Sequence, residues 1–224
     1  MLEPRQVIVI FTRLPEKGEV KTRLTPPLTS EEAAALQRCM ILDALALAGT
    51  KKCPIVIAYD PGKGRSFLRD MGEQVLLIEQ RGGSLGERMA NALEDVFAAG
   101  YSPALLMGTD IPSLPRYILK DALKVLEKKD VVLGPSIDGG YYLIGMRRLH
   151  HGIFRGIRWG TSEVLSQTLS RIKKEGLSCS CLETWYDVDT PEDLLFLREH
   201  IEALRDAGTW WPRKTHEFLR RVRI

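Results

Sequence analysis

The stretch Val7-Ile8-Val9-Ile10-Phe11 is a continuous apolar run near the start of the chain, and a polar loop, 12–24, follows it directly. Such a run is typical of a strand that is buried on both faces of a parallel sheet. Ligands of open parallel sheets bind at the carboxyl ends of the strands. The loop is therefore predicted to bind the phosphates of a nucleotide through its four cations, which are Arg13, Lys17, Lys21 and Arg23. It contains neither GxxxxGK(S/T) nor GxGxxG, which disfavours a Walker site and a nicotinamide dinucleotide.

Strand-like and helix-like segments alternate along the rest of the sequence. Further strands are predicted at 54–59, 74–79, 104–107, 131–133, 141–146 and 177–182. Helices are predicted at 30–48, 64–71, 85–99, 117–128 and 162–174, and from Thr190 onward. The alternation predicts an α/β fold with three α/β/α layers around a mostly parallel, Rossmann-like sheet. Strand 141–146 follows 131–133 too closely for a helical crossover, so a small antiparallel excursion is expected there.

Composition limits the classes of partner. The formal net charge of +3 is too small to indicate a nucleic-acid-binding protein, and no apolar run is long enough to predict membrane insertion. The chain begins with no apolar signal segment and its four cysteines form no CxxC pair, so we expect a cytoplasmic protein with reduced thiols. We expect a single domain, 1–224, whose basic tail, 209–224, packs on the domain or on a second subunit of a homodimer.

A second polar loop, Gly108-Thr109-Asp110-Ile111-Pro112, follows the strand at 104–107. A carboxylate at the end of a buried parallel strand is well placed to hold Mg²⁺ or Mn²⁺ together with substrate phosphates. Asp110 is therefore a candidate metal ligand and catalytic residue. The alternative is an aspartate that only caps the following turn.

A third loop, Ser136-Ile137-Asp138-Gly139-Gly140, leads into Tyr141 and Tyr142. Glycines allow close approach of the backbone to a ligand, so Gly139 and Gly140 are candidate substrate contacts, as is the ring of Tyr141. Asp138 is the candidate base or hydroxyl contact. The alternative is an ordinary Asp-Gly hairpin turn. The segment 157–162 precedes a predicted helix and contributes Trp159 and Thr161 as candidate contacts to an acceptor.

The fourth loop, Tyr186-Asp187-Val188-Asp189-Thr190, leads into the last clear helix. In an extended segment Asp187 and Asp189 lie on the same side, so both are able to face one cation. Capping of the helix by Asp or Thr is the competing interpretation, and one aspartate can cap while the other binds metal.

The four loops in this order resemble those of the nucleotide-diphospho-sugar transferase superfamily, which has the GT-A fold. The shared motifs are Lys-Thr-Arg-Leu at 21–24, Gly-Thr-Asp-Ile-Pro at 108–112, Ser-Ile-Asp-Gly-Gly-Tyr-Tyr at 136–142, and Asp-Val-Asp-Thr-Pro-Glu-Asp at 187–193. The chain is most similar to a bacterial glycosyltransferase-like family linked to arsenosugar biosynthesis. More distantly, its first loop is similar to that of the 2-phospholactate guanylyltransferases.

The resemblance implies that Asp110 and either Asp187 or Asp189 hold the metal. It implies first a metal-dependent glycosyltransferase that uses a nucleotide-diphospho-sugar donor and a small-molecule acceptor. The alternative is a nucleotidyltransferase that moves NMP from an NTP to a phosphorylated small molecule. A nucleotide-binding module without catalysis is a third interpretation. The chain lacks the GxGxR-type loop of many nucleotidyltransferases and a full Asp-x-Asp at 108–110.

Overall fold

One mixed sheet runs through the residues that the computed structural model describes, which are 5–49, 53–62, 67 and 75–223. Within these residues its strands are β1 (Arg5–Thr12), β2 (Ile55–Tyr59), β3 (Leu76–Glu79), β4 (Tyr101–Met107), β5 (Val131–Pro135), β6 (Tyr141–Met146) and β7 (Cys179–Cys181). The order across the sheet is β3-β2-β1-β4-β6-β5-β7. Strand β6 is antiparallel to β4 and β5, and the other pairs are parallel. The mostly parallel sheet and its antiparallel excursion are therefore confirmed.

Helices cover both faces of the sheet. Those described are α1 (Ser30–Ala48), α2 (Leu85–Ala98), α3 (Arg116–Val125), α4 (Val164–Lys174), α5 (Pro191–Asp206) and α6 (Arg213–Leu219), with short 3₁₀ turns at Thr22–Leu24 and His151–Phe154. Side chains of β1 alternate between the faces: Val7 and Val9 pack with α2 and α4, while Ile8 and Ile10 pack with α1 and α3. This alternation produces the expected three layers.

Three of the described helices begin at capping boxes. In each box the N-cap side chain accepts a hydrogen bond from the backbone N–H of the third helical residue, whose own side chain accepts one from the N-cap N–H. The pairs are Thr29 with Glu32, Ser84 with Glu87, and Thr190 with Asp193. Each box satisfies N–H groups that have no partner within the helix. The N-cap of α5 is Thr190, so neither Asp187 nor Asp189 caps this helix.

Several predicted boundaries shift. Strand β4 begins at Tyr101, three residues before the predicted start, and helix α3 ends at Val125 rather than at 128. Strand β5 continues to Pro135 because it pairs with β6 up to Tyr141. The predicted helix at 64–71 lies outside the described residues except for position 67. No helix in the described part of the chain combines the length and the apolar character that crossing a bilayer requires.

The C-terminal segment packs on α1. Buried Asp43 of α1 accepts hydrogen bonds from the backbone N–H groups of Lys214 and Thr215, at 3.0 and 2.7 Å. His216 of α6 bonds Glu202 of α5 at 2.7 Å. The basic tail is thus held to the rest of the chain by buried polar contacts as well as by apolar ones.

Strand β1 lies between β2 and β4, so the chain changes direction across the sheet at this point. Such a reversal opens a crevice between the loops that follow the two neighbouring strands. The loop after β1 and the loop after β4 both border it. The fold therefore brings the cationic loop next to Asp110.

Candidate functional site

A cavity of about 910 Å³ opens at the carboxyl ends of β1 and β4. Most of the predicted site residues line it: Arg13, Lys21, Arg23, Asp110, Asp138, Gly140, Tyr141, Trp159, Thr161, Asp187 and Asp189. Two of the predicted residues, Lys17 and Gly139, do not. A cavity of this size is large enough for a nucleotide together with a small second substrate.

Lys21 lies at the carboxylate end of the cavity. Its Nζ is 2.9 Å from Asp110 Oδ1, 3.4 Å from Asp189 Oδ1 and 2.7 Å from the carbonyl oxygen of Val188. Its side chain is only 4% exposed, although the two carboxylates are about 40% exposed. Lys21 therefore links the loop after β1 to the loops that carry the aspartates.

The other loop cations are more exposed. Arg13 donates to the carbonyl oxygen of Glu19 at 3.5 Å, and Arg23 lies 3.9 Å from Asp189 Oδ2 with its side chain 79% exposed. Both line the cavity and are free to turn toward an anion. Lys17 pairs with Glu31 on the surface of α1 instead. Of the four cations, three thus reach the cavity.

Asp110 is supported from behind by a buried polar group. Gln37 Nε2 donates to Thr12 Oγ1 at 3.0 Å and is 3.3 Å from Thr109 Oγ1, which in turn donates to Asp110 Oδ1 at 3.3 Å. The backbone N–H of Val188 donates to the carbonyl oxygen of Asp110 at 2.8 Å. These bonds fix the segment 187–189 alongside the loop after β4.

Asp187 is half-buried and accepts a hydrogen bond from Ser136 Oγ. Burial raises the pKa of Asp187 to about 7; the bond from Ser136 opposes this, while the negative charges of Asp138, Asp110 and Asp189 add to it. The charges of three other carboxylates that line the cavity thus act on Asp187. Such mutual repulsion is typical of a site that receives a cation.

The donor set fits a hard divalent ion, because carboxylate oxygens are the ligands that Mg²⁺ and Mn²⁺ prefer. Within the described ranges, however, no three Asp, Glu, His or Cys side chains lie together as a ready-made metal cluster. The ammonium of Lys21 lies between Asp110 and Asp189. Both carboxylates line the cavity and remain partly exposed.

The turn that carries Asp138 is a tight β-turn. Gly139 N–H bonds the carbonyl of Ser136 at 3.2 Å, and Gly140 N–H bonds Asp138 Oδ1 at 2.8 Å. Gly139 has φ +88°, and a side chain there would collide with the carbonyl of Ser162. Gly139 is therefore a structural requirement behind the cavity, while Gly140 lines it. The segment thus forms a turn of the hairpin, and its role in substrate binding stays a prediction.

Aromatic residues form the opposite end of the cavity. Tyr141 packs edge-to-face on Trp159, with centroids 6.3 Å apart, and its hydroxyl is buried without a partner. Trp159 rests on Gly86, where a Cβ would lie 2.8 Å from the indole. Thr161 Oγ1 donates to the carbonyl of Arg158 at 2.8 Å. Trp159 and Thr161 thus border the cavity as the sequence predicts.

Gln80 and Arg88 are among the cavity residues that the sequence motifs did not predict. Gln80 lies at the end of β3, and its Nε2 donates to the carbonyls of Thr12 and Ala58 at 3.0 and 2.9 Å. Arg88, in the first turn of α2, donates from Nε to the carbonyl of Gly82 at 3.1 Å. Both follow a strand end at the same edge of the sheet. That position, together with the Gly82-Gly83 turn, is the signal that would have identified them.

Fold and site together define a class: α/β proteins built like nucleotidyltransferases and nucleotide-sugar transferases. The CMP:2-keto-3-deoxy-manno-octonic acid synthetase solved with CTP has this fold, with a TM-score of 0.56 at 15% identity over 91% of this chain and 99% of that one. The chain belongs to the DUF2064 family, described as "uncharacterized protein conserved in bacteria", whose model matches residues 42–161.

Two relatives are similar over nearly the whole chain. A structure from Desulfovibrio desulfuricans, solved as a proposed nucleotide-diphospho-sugar transferase, has a TM-score of 0.88 at 35% identity over 97% of this chain and 94% of its own. The 2-phospho-L-lactate guanylyltransferase of Methanothermobacter thermautotrophicus is 27% identical over 91% of this chain and 86% of its own. Both resemblances proposed from the motifs are thereby confirmed. The link to arsenosugar biosynthesis is tested by neither and stays a prediction.

Proposed function

We propose that the protein is a metal-dependent nucleotidyltransferase that moves NMP from an NTP to a phosphorylated small molecule. The observation that carries the proposal is that the loop cations and the carboxylates of Asp110 and Asp189 line one cavity, where Lys21 contacts both carboxylates. A polyphosphate needs both, since the cations bind its oxygens and the carboxylates hold the ion that it shares. The motifs alone favoured glycosyl transfer. Similarity to a guanylyltransferase over most of the chain favours nucleotidyl transfer instead.

The site residues divide into roles in this proposal. Arg13 and Arg23 bind the phosphates by charge-assisted hydrogen bonds. Asp110 and Asp189 hold Mg²⁺ or Mn²⁺, with Asp187 beside them. The ion, when bound, neutralises the negative charge that develops on the departing pyrophosphate.

The acceptor would bind at the aromatic end of the cavity. Asp138 is exposed at the turn before β6, next to Gly140, and Trp159 and Thr161 line the same cavity. Asp138 would bind a hydroxyl of the acceptor and so position the acceptor's phosphate oxygen, which attacks the α-phosphorus as pyrophosphate leaves. An acceptor that is itself phosphorylated needs no general base, because its attacking oxygen is already ionised.

The proposal is tested by product analysis with NTPs and phosphorylated hydroxy acids in the presence of Mn²⁺. Release of pyrophosphate and formation of a nucleoside diphosphate linkage, seen by ³¹P NMR, are expected. Hydrolysis to NDP and phosphate alone would contradict the proposal. Asp206→Asn, an exposed change on α5 away from the cavity, is the matched control for Asp110→Asn.

Glycosyl transfer from a nucleotide-diphospho-sugar is the second candidate, because the relative from Desulfovibrio desulfuricans is described as such a transferase at 35% identity. The same cations and carboxylates would then stabilise a departing nucleoside diphosphate. Incubation with NDP-sugars separates the two reactions. NDP release that depends on an acceptor would favour glycosyl transfer, and no turnover with either donor would leave only a binding module.

We further propose that residues 1–224 form one domain, since one sheet contains strands from both ends of the chain and α6 packs on α1. A cytoplasmic location and a homodimer remain predictions of the sequence.

A further inference from the structure

Lys21 has no hydrogen-bonding capacity left for a ligand in this conformation. An ammonium has three N–H donors. Lys21 Nζ has three oxygen neighbours, which belong to Asp110, Asp189 and the carbonyl of Val188, at 2.9, 3.4 and 2.7 Å. Its side chain is almost completely buried. In this arrangement Lys21 binds the carboxylates rather than phosphate.

The backbone of Lys21 is also unusual. It has φ 49° and ψ 34°, and it is the only described non-glycine residue with a positive φ. For a residue with a Cβ this left-handed conformation is strained. It directly precedes the turn at Thr22–Leu24. The conformation therefore directs the ammonium inward at an energetic cost that the ion pairs offset.

The surroundings explain why a cation is held there. Asp187 lies beside Asp110 and Asp189, and Asp138 faces the same end of the cavity. Arg23 approaches only Asp189, from 3.9 Å, and is mostly exposed to solvent. Lys21 is thus the one buried positive charge among the described residues of this carboxylate cluster.

We propose that Lys21 is a tethered cation that takes the place of a divalent ion between Asp110 and Asp189 and competes with that ion for the two carboxylates. Metal binding then displaces the ammonium, which becomes available to the polyphosphate. Metal and nucleotide therefore bind with positive coupling. The metal frees the Lys21 ammonium for the polyphosphate, and the polyphosphate supplies a new partner for that ammonium and so favours metal binding at the carboxylates. This inference rests on the proposed function only in taking Asp110 and Asp189 as metal ligands.

The opposite role would give the opposite result. If Lys21 stayed in place and only held the two carboxylates for a metal bound at their outer oxygens, its removal would let them separate and weaken metal binding. A purely structural role would lower the melting temperature and leave metal affinity unchanged.

Mn²⁺ titration of the nucleotide-free protein, followed by the EPR signal of free Mn²⁺, distinguishes these roles. Lys21→Met is expected to bind Mn²⁺ on the order of tenfold more tightly than the wild type, because a competing unit charge is lost. Lys21→Gln, which keeps a donor for Val188 O, is expected to do the same if Lys21→Met does not fold. Lys17→Met removes a cation of the same loop outside the cavity and is expected to leave Mn²⁺ affinity unchanged.

Adding a non-hydrolysable NTP completes the test. The NTP is expected to tighten Mn²⁺ binding more in the wild type than in Lys21→Gln. Unchanged or weaker Mn²⁺ binding in both Lys21 variants would overturn the inference; if Asp110→Asn still abolished binding, the metal site of the proposed function would stand. Absence of Mn²⁺ binding in every variant, with and without NTP, would overturn the inference and the metal dependence together.

Discussion

Asp43 is a buried aspartate and Asp187 is a half-buried one, and their surroundings have opposite character. Asp43 faces donors, the N–H groups of Lys214 and Thr215, which lower its pKa against the larger raising effect of burial. Asp187 faces one hydroxyl, from Ser136, and three other carboxylates. At the first site the protein satisfies the charge itself. At the second it leaves a negative cluster open to the cavity, which is why only the second is a candidate for function.

Asp110→Asn is expected to have the largest effect. Loss of one anionic ligand should lower kcat on the order of 1000-fold, because the ion that balances the leaving pyrophosphate is held less well. The melting temperature should change little, since Asp110 is partly exposed and Lys21 keeps Asp189 and the carbonyl oxygen of Val188 as partners. Steady-state kinetics with thermal unfolding of the same samples checks both. Activity within about twofold of Asp206→Asn would remove Asp110 from the site.

Asp43→Ala should have the reverse profile. It leaves two N–H groups at the start of α6 without a partner and should lower the free energy of unfolding by about 2 kcal/mol. Activity per folded molecule should not change, because Asp43 does not line the cavity. Urea unfolding measures the first effect and active-site-normalised kinetics the second. A large loss of kcat with unchanged stability would show that Asp43 acts in function rather than in folding, and would contradict the contrast with Asp187.

Asp187→Asn should stabilise the metal-free protein, and by an amount that depends on pH. The pKa is raised from 3.8 to about 7, so between these values the folded wild type binds a proton that the unfolded chain does not. Its stability therefore falls as pH rises through this window. The variant has no carboxyl group at position 187 to ionise, so it does not lose stability in this window. At pH 8 its free energy of unfolding should exceed that of the wild type by on the order of 2 kcal/mol, with little difference at pH 4. Chelated samples unfolded at both pH values test this sign.

Lys17→Met should have the smallest effect. The sequence predicts Lys17 as a phosphate ligand, but its ammonium pairs with Glu31 and lies outside the cavity. We expect KM for the nucleotide to change by less than about twofold, against about tenfold for Arg13→Met. Equal increases in KM for the two variants would restore Lys17 to the site and imply that the loop closes on the ligand.

The sequence was sufficient where one local rule decides the structure. Capping boxes at Thr29 and Ser84 mark helix starts, and the apolar run 7–11 marks the central strand, because these signals depend only on near neighbours. The same holds for the cluster of candidate residues, since the carboxyl ends of parallel strands share one edge.

Properties that depend on long-range contacts were not readable from the sequence. Lys17 and Lys21 are both lysines of one loop, and only the three-dimensional course of the loop separates a surface ion pair from a buried one. Gln80 and Arg88 line the cavity because β3 ends at the same edge of the sheet as β1, two strands away, and this strand order is set by long-range pairing. The raised pKa of Asp187 likewise arises from residues far away in the chain.

Calorimetric titration of GTP into the wild type and Asp110→Asn, with Mn²⁺ or with a chelator, tests the central claim that cations and carboxylates of this cavity hold a metal-bound nucleotide. The account predicts that the wild type binds GTP at least about tenfold more tightly with Mn²⁺ than with chelator, and that Asp110→Asn loses this difference. Equal affinity under both conditions, or an unchanged Mn²⁺ effect in Asp110→Asn, would contradict it.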